Sequence, residues 1–201
     1  MKITPELVLN WYPCYSPEEI IKMFKGKKFA TPLEICDATH VSLQDKLWVL
    51  LREQIIPLPL AQEFACKCVE NYLPLFEKQY PKDLRPRKAI KAKRDWLLGK
   101  IKDNELIEIS NKAFESYYST RGDVENIPTA AYYASQVYPF RYNGFSIPHN
   151  DTFTLVCLVF HCLNKVGPLE INELNNLQKT LLQNLRKVLL QIKKENGDFN
   201  K

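Results

Sequence analysis

An all-α fold, a compact multi-helix bundle of about nine or ten helices, is what this sequence of 201 residues predicts. Three observations carry it. Prolines stand where helices should begin, apolar residues recur at helical spacing, and only six glycines occur, too few for a loop-rich or all-β design. Hydrophobic residues make up 45% and charged residues 25% of the chain, which is ordinary globular composition and enough for a real core.

The first three starts are written alike. Thr4-Pro5, Ser16-Pro17 and Thr31-Pro32 each place a hydroxyl before a proline. The hydroxyl can accept from an orphan amide, and a proline in the first turn gives up a donor that has no helical partner anyway. Ser16 with Glu19, and Thr31 with Glu34, complete the capping-box pattern. A fourth helix is expected from Ser42 to about Gln54, because Leu43, Leu47, Leu50 and Leu51 share one face. From Leu60 to Tyr80 the stripe Ala61, Phe64, Ala65, Cys68, Tyr72, Leu75 and Phe76 predicts a long helix that Pro74 kinks or splits.

Asp83 and Pro86 open a basic helix that should end near Gly99, burying Ala89, Ile90, Trp96 and Leu97. Asp103 is placed to cap the next helix, from Asn104 to about Ser119, buried through Leu106, Ile109, Ala113 and Tyr117. Pro128 opens a short helix in which Ala130, Ala131 and Ala134 would let a neighbour approach closely. Residues 138–150 read as an irregular aromatic loop, and Phe153 to Leu163 as a helix ahead of Gly167. The last helix runs from about Ile171 to Asn196 on the stripe Leu174, Leu177, Leu181, Leu185, Val188 and Ile192. The expected organisation is therefore a main helical domain over 1–140 and a C-terminal helical hairpin over 150–201 packed on it.

Charge is concentrated in one place. Lys82 to Lys102 contains nine Lys or Arg and two Asp, a local +7, whereas the whole chain carries only +5. Such a field attracts anionic partners. Contact with an acidic protein, binding of nucleic-acid phosphates through the basic helix 85–100, and an ordinary solvated helix face are all compatible with it. Against nucleic acid stand the lack of a helix-turn-helix glycine pattern, of a zinc finger and of interleaved aromatics.

Catalytic chemistry finds little support. No Gly-rich phosphate loop is present, and His40, His149 and His161 sit in unlike contexts without a metal-binding pair. No catalytic residue, metal ligand or cofactor is assigned. Cys14, Cys36, Cys66, Cys68, Cys157 and Cys162 are expected as reduced thiols, mostly buried, since nothing at the start of the chain reads as an export signal. A cytoplasmic protein without a membrane span is expected, its oligomeric state open.

The stretch Asp83-x-Arg85-Pro86-x-x-Ala89-Ile90, followed by Trp96-Leu97-x-Gly99, carries a further signal, together with Leu47-Trp48 and Cys66 or Cys68 upstream. Over roughly residues 30–138 the chain resembles the immunity proteins of bacterial polymorphic-toxin systems and related helical proteins of phage genomes. The resemblance implies an all-α, non-enzymatic, cytosolic protein that binds another protein. That partner would be a toxin to be neutralised or, for a phage product inhibiting bacterial defence, a host defence component. Asp83, Arg85, Pro86, Ile90, Trp96 and Trp48 then have structural roles. The cations without such a role, Arg87, Lys88, Lys91 and Arg94, are the expected docking surface.

Overall fold

The architecture is that of a computed structural model, which describes residues 1–122, 124–137, 141–142, 145–146 and 171–196. Among them are ten helices and one ladder of two short strands. The chain divides into two units, one formed by Met1–Pro57 with Gln178–Lys201 and the other by Leu58–Leu177.

In the first unit, α1 (Pro5–Leu9), α2 (Pro17–Met23), α3 (Pro32–Asp37) and α4 (Leu43–Leu50) begin as the hydroxyl-proline and serine signals require. Thr4, Ser16, Thr31 and Ser42 accept from the amides of Leu7, Glu19, Glu34 and Asp45 at 3.0–3.3 Å. Glu19 and Glu34 reach back to the amides of Ser16 and Thr31 at 2.8 Å, closing both capping boxes. Each such cap is worth about 1 kcal/mol. Helix α4 stops at Leu50, four residues before the expected end. Pro57 disfavours helical backbone at Ile56, and the amides of Ile55 and Ile56 instead turn back onto the Arg52 carbonyl at 2.8 Å.

The last helix, α10 in chain order, spans Ile171–Asn196 as the leucine stripe predicts. Leu181, Leu185, Val188 and Ile192 are buried, and Leu189 joins them. It is tied to α3 where Arg186 Nε donates to Asp37 at 2.9 Å. Trp48, half-buried, stands edge-on to Trp11 at 6.2 Å between ring centres, and the Arg52 guanidinium lies 4.3 Å from its ring.

The second unit holds α5 (Leu58–Glu70), α6 (Leu73–Gln79), α7 (Arg85–Leu97), α8 (Asp103–Ser119) and α9 (Asn126–Ala134). Pro74 does split the Leu60–Tyr80 stripe. It occupies the first turn of α6, where its missing amide costs nothing, and so the break falls at residues 71–72 rather than at the proline itself. Phe64, Leu73, Phe76, Ile90, Leu106 and Ile127 are almost wholly removed from water and form the centre of this unit. Ala130, Ala131 and Ala134 are fully buried, and α9 packs on α5, α7 and α8, with Ile127 also buried and the Tyr132 ring 4.9 Å from that of Phe114 on α8.

Strands β1 (Arg141–Tyr142) and β2 (Phe145–Ser146) pair antiparallel inside the segment expected to be irregular. The intervening Asn143-Gly144 dipeptide is a strong hairpin signal. The expected helix over 153–163, with Cys157, His161 and Cys162, and the loop histidine His149 lie outside the described residues. The expected hairpin over 150–201 is described only through α10.

Candidate functional site

Helices α7 and α8 form a helical hairpin joined by residues 98–102, and the motif residues pin both of its ends. At the open end the Asp83 carboxylate accepts from the Arg85 amide at 3.1 Å and, in a bidentate pair, from its guanidinium at 2.9 and 2.7 Å. Ser116 of α8 donates to the same carboxylate at 2.6 Å, and Arg85 Nη2 donates to Ser119 at 2.7 Å. Burial by itself would raise the Asp83 carboxyl, but the Arg85 guanidinium, the Ser116 hydroxyl and the Arg85 amide outweigh it and hold it at about 2. Pro86 sits buried in the first turn of α7, and Ala89 and Ile90 face inward behind it.

At the closed end Gly99 adopts φ +69°. Its amide donates to Trp96 O and that of Lys100 to Asp95 O, both at 2.8 Å, which is the paired-bond stop of a Schellman motif. Open space surrounds the position a Cβ would take, so only backbone strain opposes a side chain there. Gly99→Ala is expected to lower stability by about 1 kcal/mol, read as a drop in thermal midpoint with unchanged helical content. Asp103 does not cap α8 as expected. It accepts from the Trp96 indole at 2.8 Å, and Lys102 takes the cap position without a side-chain bond. Trp96 and Leu97 are half-exposed rather than buried, since the indole edge is needed at the surface for that bond.

The four cations expected to form one docking patch separate into two pairs. Arg87 turns to α6, where it forms a bidentate ion pair with Glu77, with Nη2 donating at 2.7 Å to Oε2. Arg94 turns to α5 and is shared between Glu63, at 2.9 Å from Nε, and Glu70, at 2.8 Å from Nη2. Hydrogen bonding to Glu70 and Glu63 raises the Arg94 pKa further above its already high value. These two guanidiniums tie α7 to its neighbours. Lys88 and Lys91 point the other way, into a groove of about 350 Å³ between α7 and α8. Lys91 is bridged to Asp95 at 2.9 Å but is 79% exposed, and Lys88 has no side-chain partner among the described residues.

Sequence reasoning overlooked the opposite wall of that groove. Ile101, Glu105, Ile109 and Lys112 line it, and Arg85 closes one end. Their spacing of four, four and three is a helical stripe, and it was legible. Ile109, expected in the core, is instead half-buried and lines the groove. Lys93 was overlooked as well. One of the nine cations of the basic segment, it is fully buried, with Nζ donating to Gln136 O at 2.7 Å and lying 4.0 Å from the Trp96 ring centre. Desolvation lowers its pKa to about 8, against smaller raising effects of Cys66 and Asp103. Its position three residues after Ile90 and four after Ala89 places it on the inward face.

Residues 60–122 match the family model described as Imm-5 like putative immunity protein. The matched segment runs from α5 through the whole α7–α8 hairpin, consistent with the resemblance carried by residues 83–99, and stops short of Leu47 and Trp48. Within it, the motif residues Asp83, Arg85, Pro86, Trp96 and Gly99 build the hairpin and leave Lys88 and Lys91 as the cations turned outward over the groove. No curated protein and no solved structure matches the chain.

Among the described residues no cluster of His, Cys, Asp or Glu has metal-binding geometry, and no helix is long and apolar enough to cross a membrane. Cys36, Cys66 and Cys68 are buried free thiols, whereas Cys14 is an exposed one. Burial pushes the Cys66 thiol up to about 12, far from the thiolate a nucleophile needs.

Proposed function

We propose that the protein acts by binding, without turnover, and neutralises a protein partner whose acidic segment lies in the α7–α8 groove. The observation that supports this is the lining of that groove: over the apolar side chains of Ile101 and Ile109, Lys88 has no carboxylate partner among the described residues and Lys91 stays 79% exposed beside Asp95, while Arg85 and Lys112 are paired with Asp83 and Glu108 and Glu105 stands on the facing wall. Cations around an apolar floor suit a peptide with carboxylates flanking an aliphatic anchor. The immunity-type family description favours a toxin as that partner, in the cytoplasm of the cell it protects. A host defence component is the corresponding target if the gene belongs to a phage.

Direct nucleic-acid binding is the weaker reading. Arg85, Arg87 and Arg94 are engaged by carboxylates and Lys93 is buried, so four of the six cations of α7 are withdrawn from any phosphate surface.

The test is the double variant Lys88→Glu, Lys91→Glu. Lys88 has no side-chain partner among the described residues and the Lys91–Asp95 pair is exposed, so circular dichroism should be little changed. Affinity for the partner recovered from the native host should fall at least about tenfold, the expected result of placing like charges across an interface. Unchanged affinity would remove the groove from the function. Tight, steeply salt-dependent binding of plain duplex or single-stranded oligonucleotides would favour the nucleic-acid reading instead.

A further inference from the structure

The first unit contains a second hollow, of about 450 Å³, lined by Ile20, Met23, Leu33, Val41 and Trp48 among others. All of these but Ile20 are half-exposed, an arrangement that leaves apolar surface unpartnered around a concavity of small-molecule size. The charged groups at its mouth are unevenly satisfied. Glu34 accepts from Lys27 at 2.8 Å, Asp37 from Arg186 at 2.9 Å, and Asp45 from Ser42 at 2.6 Å and Tyr15 at 3.2 Å. His40 Nε2 lies 2.9 Å from Met23 O. Lys25 alone among the lining cations has no side-chain partner within the described residues.

Lys25 is also held in a conformation that favours glycine, φ +50°, directly before Gly26 at +77°. A left-handed non-glycine residue is costly, and no bond of the side chain offsets it.

We infer that this hollow is a binding site for a small amphipathic acid, with its apolar body between α2, α3 and α4 and its carboxylate against Lys25. This goes beyond the partner capture proposed for the α7–α8 groove and does not depend on it.

The experiment titrates octanoate, octanol and octyltrimethylammonium into the full chain by calorimetry. Octanoate should bind with a Kd on the order of 100 µM, at least about fivefold tighter than octanol, and the cation should bind weakest. Lys25→Gly relieves the backbone and so keeps the fold, and it should bring octanoate to the level of octanol. Ala38→Phe, which fills the hollow, should abolish both. Equal binding of octanoate and octanol, an unaltered octanoate affinity in Lys25→Gly, or no binding at all overturns the proposal. So does failure of octanoate to bind while Ala38→Phe loses a protein partner, because the hollow then seats a partner's side chain.

Discussion

Replacing Asp83 with alanine is expected to remove about 2 kcal/mol of stability at neutral pH and to flatten the acid limb of the unfolding curve. The carboxylate is 15% exposed and accepts from the Arg85 amide, the Arg85 guanidinium and the Ser116 hydroxyl. Together these hold it at about 2 instead of 3.8. A carboxyl whose folded pKa is lowered gives its stabilisation above the unfolded value and loses it as pH falls through the folded one. The window here runs from pH 3.8 down to about 2. At about 1.4 kcal/mol per unit the shift corresponds to about 2 kcal/mol. Alanine also leaves the Ser116 hydroxyl and the Arg85 guanidinium short of an acceptor.

Urea unfolding of wild type and Asp83→Ala should therefore differ most at neutral pH and converge near pH 2. Glu34, also held at about 2, titrates in both proteins and cancels in the difference. Curves that stay parallel down to that pH would mean that Asp83 acts through shape alone. Asp83→Asn separates the two contributions, since it keeps the size and one acceptor but not the charge.

The Asp83 cluster also shows why some of the architecture could be read from sequence and some could not. Helix starts were legible because they are local. Ser16 finds Glu19 and Thr31 finds Glu34 within one turn, and no tertiary partner is needed to close the box. The same holds for Gly99, whose stop is made by bonds to Trp96 and Asp95. Long-range choices were not legible. Asp103 looks like a cap because it stands at a helix start, yet the Trp96 indole competes for its carboxylate and wins. Arg87 and Arg94 look like surface cations because their acids lie on other helices, 10 to 31 residues away in sequence. One run of basic residues therefore does two jobs. Its guanidiniums fasten α7 to α5 and α6, where a planar fork can hold carboxylates by two bonds at once, while its outward ammonium groups stay exposed over the groove.

Lys93→Met is expected to change how stability depends on pH rather than simply to weaken the fold. In wild type the ammonium is 0% exposed, with the Gln136 carbonyl and the Trp96 ring as its polar contacts. Burial lowers its pKa from 10.5 to about 8, partly countered by Cys66 and Asp103. Below pH 8 lysine is charged in both folded and unfolded chains, and the folded state bears the desolvation cost, which at about 1.4 kcal/mol per unit comes to about 3 kcal/mol. Between pH 8 and 10.5 the unfolded chain binds more protons at this site than the folded one, so stability rises with pH.

Methionine keeps the bulk and carries no charge, so it lacks that rise. At neutral pH it relieves the desolvation but leaves the Gln136 carbonyl without a donor, a loss of about 1–3 kcal/mol that offsets much of the gain. The decisive quantity is the wild-type minus Lys93→Met difference in unfolding free energy, followed from pH 7 to 10.5. It should shift by about 3 kcal/mol in favour of wild type across that range, because Tyr72, raised by burial in both proteins, drops out, and folded Cys66, pushed up to about 12, stays a neutral thiol throughout. A flat difference would show that the Lys93 ammonium keeps its ordinary affinity for protons. Water would then reach the space between α7 and Gln136, and the buried face of the basic helix would be wetter than its side chains suggest.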